Sequence, residues 1–162
     1  MDGVTFRSTP RIHQINLSNG GVPKLPVPET RITAKGLDGD RQRSRVYHGG
    51  PDRAVCLFSL ELIEALQAEG HSIFPGSSGE NVTLAGVEWE RLRPGSRLRL
   101  GGQVRLEITS YTTPCKHNAG WFRGGDYKRI SQRRHPGWSR LYAKVLDEGL
   151  VRVGDPLILE GR

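Results

Sequence analysis

Arg97-Leu98-Arg99-Leu100-Gly101-Gly102-Gln103-Val104-Arg105-Leu106-Glu107-Ile108-Thr109 is the stretch that decides the fold class. Leu98 and Leu100 alternate with Arg97 and Arg99, and Val104, Leu106 and Ile108 alternate with Arg105, Glu107 and Thr109. A period of two puts one set on a buried face and the other in water, the pattern of a half-buried strand. Gly101-Gly102 joins the two runs and accepts the positive φ that primed hairpin turns require. The same reasoning predicts a second hairpin, with 141–146 paired to 150–153 across Asp147-Glu148-Gly149.

Working outward, further strands are expected at 11–17, 30–34, 54–58, 82–84 and 157–160. Helical signals are few. Ser59 is placed to cap a helix over 60–69 that Gly70 ends, with Leu62, Ile63 and Leu66 as its buried stripe. A shorter helix is expected near 127–134. Many short strands separated by glycine turns, with one or two short helices, predict a mainly β protein, a barrel or sandwich with helical decoration. The 162 residues show no internal repeat and no linker, and residues 1–162 are expected to form one domain.

Composition narrows the function classes. The longest apolar run, 54–58, has five residues, whereas a bilayer-spanning helix needs ~20. Residues 1–11 are polar and lack the apolar core of a secretory signal. Two cysteines do not make a disulfide framework. A cytoplasmic, reducing location without membrane contact is expected. The formal charge is +7, with 19 Arg against 5 Lys. The balance is +4 over residues 1–53, −2 over 54–110 and +5 over 111–162. Arginine's planar fork suits phosphate and carboxylate, so an anionic ligand or nucleic acid enters consideration beside a merely solvated basic surface.

Three loops hold the unusual residues. The first runs from Gly36-Leu37-Asp38-Gly39-Asp40-Arg41 to His48-Gly49-Gly50-Pro51-Asp52-Arg53. Consecutive glycines before a strand let backbone N–H groups approach an anion, and Arg41 and Arg53 offer bidentate contacts; a tight turn with solvated charges is the plainer reading. The second, Phe74-Pro75-Gly76-Ser77-Ser78-Gly79-Glu80-Asn81-Val82, lacks the spacing of a serine nucleophile turn, but the Asn81 amide suits a heterocycle edge. The third is Tyr111-Thr112-Thr113-Pro114-Cys115-Lys116-His117-Asn118. Cations next to a thiol favour thiolate, a nucleophile or soft-metal ligand. Cys56, inside Ala-Val-Cys-Leu-Phe, reads instead as a small buried hydrophobe. Cys115 and His117 have no second close pair for structural zinc, and no Walker loop, dinucleotide fingerprint or zinc-protease motif is present.

Taken together and in order, these loops resemble the MOSC family, named after the C-terminal domain of molybdenum-cofactor sulfurases. The matching elements are Gly20-Gly21-Val22-Pro23-Lys24, Gly36-Leu37-Asp38-Gly39-Asp40, His48-Gly49-Gly50-Pro51-Asp52-Arg53-Ala54-Val55, Gly79-Glu80-Asn81, Pro114-Cys115 and Val153-Gly154-Asp155, spread over about 12–160. The resemblance implies a β-barrel like the small barrel domain of pyruvate kinase. It implies a molybdenum–pterin cofactor whose metal Cys115 ligates. Lys24, Arg41, His48, Gly49, Gly50, Arg53 and Lys116 are then expected around the cofactor and its phosphate, with Asn81 addressing cofactor or substrate. His48, His117 or Glu80 would relay protons in the reduction of an N-hydroxylated small molecule.

The chain has no iron–sulfur cluster motif and no room for a pyridoxal-phosphate domain, so a reductase would draw electrons from a separate donor protein. Two other readings stand beside it. In one, Cys115 carries persulfide sulfur from a separate desulfurase toward cluster or cofactor assembly. In the other, Lys128-Arg129 and Arg133-Arg134-His135, beside Tyr127 and Trp138, make a basic barrel that binds single-stranded nucleic acid. The cofactor reading leads and nucleic acid comes last.

Overall fold

The computed structural model describes residues 9–40 and 50–161. The strands are β1 (Arg11–Leu17), β2 (Leu25–Val27), β3 (Glu29–Thr33), β4 (Gly36–Leu37), β5 (Val55–Ser59), β6 (Val82–Ala85), β7 (Arg97–Leu100), β8 (Val104–Tyr111), β9 (Leu141–Asp147), β10 (Gly149–Arg152) and β11 (Leu157–Leu159). One α-helix, α1 (Leu60–Ala68), is joined by several short 3-10 turns. The fold class is mainly β, as the sequence predicts.

The β7–β8 hairpin forms in the expected register, with Leu98 opposite Leu106 and Leu100 opposite Val104. All four of these leucine and valine side chains are fully buried. Ser59 caps α1 by accepting from the Leu62 N–H at 3.1 Å, and Ile63 and Leu66 are the residues it buries.

Two expectations about single elements fail. The 141–146 and 150–153 runs do not pair with each other. Both edges of β9 are already taken, by β8 and by β5, so β10 turns away and pairs with β3. The helix expected over 127–134 is only a 3-10 turn, Tyr127–Ile130, broken where Ser131 turns extended. Ile130 is its single buried residue, and one anchor does not make an apolar stripe.

The larger sheet has the order β11-β7-β8-β9-β5-β6-β1-β2, and β10-β3-β4 form a smaller one. It is not a closed barrel, which corrects the barrel expectation. The start of β1 meets the chain entering β11 in a seam. Ile12 donates to the Asp155 carbonyl at 2.9 Å, Gly154 to Ile12 at 2.8 Å and Leu157 to Pro10 at 3.1 Å, around a single bridge between Arg11 and Pro156. The β5–β6 pair is parallel, which demands a crossover, and α1 supplies it. One apolar cluster spans both sheets, from Ile12 and Phe58 to Ile32 and Val151. No described helix is long and apolar enough to cross a membrane.

Candidate functional site

The β5 and β9 strands place Cys56 directly opposite Tyr142. β8 ends at Tyr111, and Thr112 continues the ladder by donating to the Arg140 carbonyl at 3.0 Å. Its hydroxyl lies 3.9 Å from the Cys56 sulfur. Three residues on, half-buried Cys115 opens a run of 3-10 turns, and its carbonyl accepts from Asn118 at 2.9 Å. The strand ends therefore bring both thiols to one neighbourhood. Burial pushes the Tyr142 hydroxyl above its ordinary range; the charges of Cys56 and Cys115 add to this, while Arg140 and Arg53 oppose it. The Arg53 guanidinium stands 5.6 Å from the Tyr142 ring centroid.

Cys56 is buried as expected, but its surroundings are not those of a plain hydrophobe. Burial raises its thiol first, with Arg140 and Lys24 pulling down and Glu80 pushing up. Asn81 docks beside it like an extra strand residue. Its N–H donates to the Cys56 carbonyl and its Oδ1 accepts from the Cys56 N–H, both at 2.8 Å. The Asn81 Nδ2 donates to Asp40 Oδ2 at 2.8 Å, which also takes the Lys24 ammonium at 2.5 Å. Asp40 Oδ1 accepts from the Ser18 N–H at 2.9 Å. Lys24 and Asn81, expected at a ligand, are thus joined through Asp40 in a buried chain.

Glu80 is fully buried and accepts from the Gly76 N–H and the Ser78 and Thr83 hydroxyls, each at 3.0 Å. It organises its own loop. Gly76 lies at φ +89°, and a Cβ there would stand 2.5 Å from the Lys24 carbonyl oxygen. Lys116 and His117 are exposed on the first 3-10 turn after Cys115, and Gly50 is exposed before the turn that carries Arg53. Arg41, His48 and Gly49 lie outside the described residues.

Arg140 is the residue that sequence reasoning misses. It is 4% exposed and has no carboxylate partner among the described residues. Its Nη1 donates to the Ser78 carbonyl at 2.7 Å and its Nη2 to the Thr113 carbonyl at 3.4 Å, so it ties the Glu80 loop to the Cys115 loop. Asn118 Nδ2 donates to the same Ser78 carbonyl at 3.0 Å. The Arg140 Nε and the Asn118 Oδ1 are buried without a hydrogen-bond partner. In the sequence Arg140 sits at the start of a strand pattern with nothing to mark it as inward-facing.

Comparison with known proteins bears on this neighbourhood. The MOSC domain model matches residues 44–158, a stretch that holds both thiols, Glu80, Asn81, Arg140 and Tyr142. The chain belongs to the MOSC family. It is 30% identical over 144 residues to the uncharacterized protein YflK of Bacillus subtilis, covering 88% of this chain and 64% of that one. The chain therefore spans less than two thirds of that relative's length. It is 29% identical over 132 residues to a protein named Reductase from Gibberella moniliformis, covering 78% of this chain and 23% of that one. The crystal structure of YiiM from Geobacillus stearothermophilus shares the fold, with a TM-score of 0.72 at 23% identity over 94% of this chain and 76% of that one.

The MOSC name associates the fold with the molybdenum cofactor, and the donor set here fits such a group. No three His, Cys, Asp or Glu side chains gather among the described residues, and the half-buried Cys115 is the more accessible of the two thiols there. A pterin dithiolene brings sulfur ligands of its own, and a thiolate suits a soft, redox-active metal. The buried Arg140, with its orphaned Nε and without a counter-charge, suits an anionic group.

Proposed function

We propose that this MOSC chain binds a molybdenum–pterin cofactor and reduces N-hydroxylated small molecules with electrons from a separate protein. The observation that carries the reading is the half-buried Cys115 thiol, which shares the Tyr142 neighbourhood with two guanidinium groups. The relative named Reductase supports the direction of the chemistry. When bound, the cofactor supplies a two-electron centre for cleaving an N–O bond. The overall reaction balances as one hydroxylamine plus two electrons and two protons giving one amine and one water.

The chain's own residues have distinct tasks. Cys115 holds the metal. Arg53 and Arg140 hold the cofactor's negative charge, aided by the Gly50 backbone and by Arg41, His48 and Gly49. Lys24 and Asn81 act through Asp40 to fix the loop beside Cys56, because their polar atoms are already engaged there. Of the proton-relay candidates, His117 is exposed two residues after Cys115, Glu80 is sealed within its loop, and His48 lies outside the described residues. His117 is therefore the favoured proton donor.

The test is molybdenum by mass spectrometry and pterin by fluorescence after oxidation, on protein made in a host that produces the cofactor. Near-stoichiometric metal and pterin are expected, with metal lost in Cys115→Ser. Neither group after gentle anaerobic purification, with cyanide-labile sulfur on Cys115 instead, would replace this reading with the sulfur carrier.

A further inference from the structure

Charge on the described surface is divided unevenly. On the sheets, most cations stand beside carboxylates, Arg97 and Lys144 with Glu107, Arg105 with Glu160 and Asp147, and Arg152 with Glu29, while Arg11, Arg31 and Arg99 enter no ion pair among the described residues. The layer of 3-10 turns that leaves Cys115 is built otherwise. It turns Asn118, Phe122 and Ile130 inward, and Lys116, Arg123, Lys128, Arg133 and Arg134 outward. Those five enter no ion pair among the described residues, and Asp126 is the one acid between positions 116 and 134. The layer's paired cation, Arg129, is held by Glu69 at 2.7 Å. Phe74, 38% exposed, packs edge-on against Trp121 of the same layer with ring centroids 5.1 Å apart.

A single-sign field left uncompensated steers an oppositely charged partner and aligns it on approach. An aromatic contact in the same layer as such charge matches the apolar centre and polar rim of a protein interface. Nucleic acid is the poorer fit. Single strands need bare aromatic faces on which bases stack, but the Arg129 guanidinium covers Trp138 at 4.0 Å and Tyr127 packs against the core. The layer also begins at the residue after Cys115, so whatever docks on it sits against the cysteine loop.

We propose that the outer face of this layer, carried by Lys116, Arg123, Lys128, Arg133 and Arg134, docks a small acidic electron-carrier protein. The inference rests on the reductase reading and names the kind of donor that reading requires. A carrier of one electron docks twice for each N–O bond reduced, and each copy leaves oxidised by one electron.

The test uses the full chain and two acidic probes, a plant-type two-iron ferredoxin and a flavodoxin, with binding read by titration calorimetry. At least one carrier is expected to bind about tenfold or more tighter at ~50 mM than at ~250 mM salt. Lys128→Glu/Arg133→Glu/Arg134→Glu is expected to lose at least about tenfold in affinity, while Arg31→Glu/Lys35→Glu, exposed on and beside β3, keeps it. Thermal melts confirm that both variants fold. Neither carrier binding at low salt, or equal affinity in the triple variant, overturns the proposal. A single-stranded oligonucleotide that displaces the carrier at equal concentration overturns it in favour of nucleic acid. Binding does not need the cofactor in place. A chain that takes up neither metal nor pterin in a cofactor-producing host, yet binds the carrier, sinks the reductase reading alone, and a metal-loaded chain that binds neither carrier sinks the docking alone.

Discussion

Glu80 shows what one side chain can reveal at the residue scale. Burial raises its carboxyl above the ordinary 4.5, against the opposing pull of the Gly76 N–H and the Ser78 and Thr83 hydroxyls. The folded chain therefore keeps this proton to higher pH than the unfolded chain does. Across that window unfolding releases a proton, so raising the pH favours the unfolded state and this group's contribution falls. Glu80→Gln removes that dependence. Melting temperatures followed from about pH 4 to 8 are expected to show the natural chain losing stability relative to Glu80→Gln as the pH climbs above 4.5. Parallel curves would mean that the carboxyl ionises in the folded state as it does in the unfolded one. Glu69, Glu107 and Glu160, each held down by an arginine, move the opposite way and cancel in the comparison.

The loop 74–81 is the element on which the site depends, and Gly76 is its tightest point. Its carbonyl accepts from the Lys24 N–H at 2.9 Å, and its Cα approaches the Asn16 side chain and the Lys24 backbone too closely for any Cβ. Gly76→Ala combines a positive-φ penalty with a clash and is expected to cost about 2–4 kcal/mol in urea unfolding. A loss under about 1 kcal/mol would show that the backbone at Lys24 yields. Elements that announce themselves locally were legible in the sequence: the Leu98–Ile108 hairpin by its period, and α1 by Ser59 and its apolar stripe. The partner of β10 was not, because it follows from β9 having both edges occupied, a fact of the whole sheet. The family motif singles out Cys115, which the structure places half-buried beyond the end of β8. The roles of Arg140 and Asp40 were not legible, since they come from carbonyls and side chains far along the chain, at Ser78, Thr113, Lys24 and Asn81.

For the molecule as a whole, the sheet order sets a gradient of stability. β8, β9 and β5 are paired on both sides, whereas β11 and β2 are edges. Local opening samples edges long before the centre. Native-state amide exchange is expected to be slowest at Leu106, Ile108, Ala143 and Leu57 and fastest in β2 and β11. Protection in β11 equal to that in β8 would show that the seam holds the sheet as a closed unit. The unpaired cations gathered in the turn layer, against the ion pairs that hold most of the sheets' cations, make the charge of the surface uneven. Added salt will act mainly on the turn layer's associations.

The seam between Ile12 and Asp155 also bears on time. The β5–α1–β6 crossover closes over a short stretch of chain, but the seam joins residues from opposite ends of the described sequence. Loop-closure entropy delays such contacts during folding. Interactions that form after the rate-limiting barrier slow unfolding without speeding folding. The three backbone hydrogen bonds at the seam are therefore expected to act as a kinetic latch, lengthening the life of the folded chain while leaving its rate of formation to the crossover.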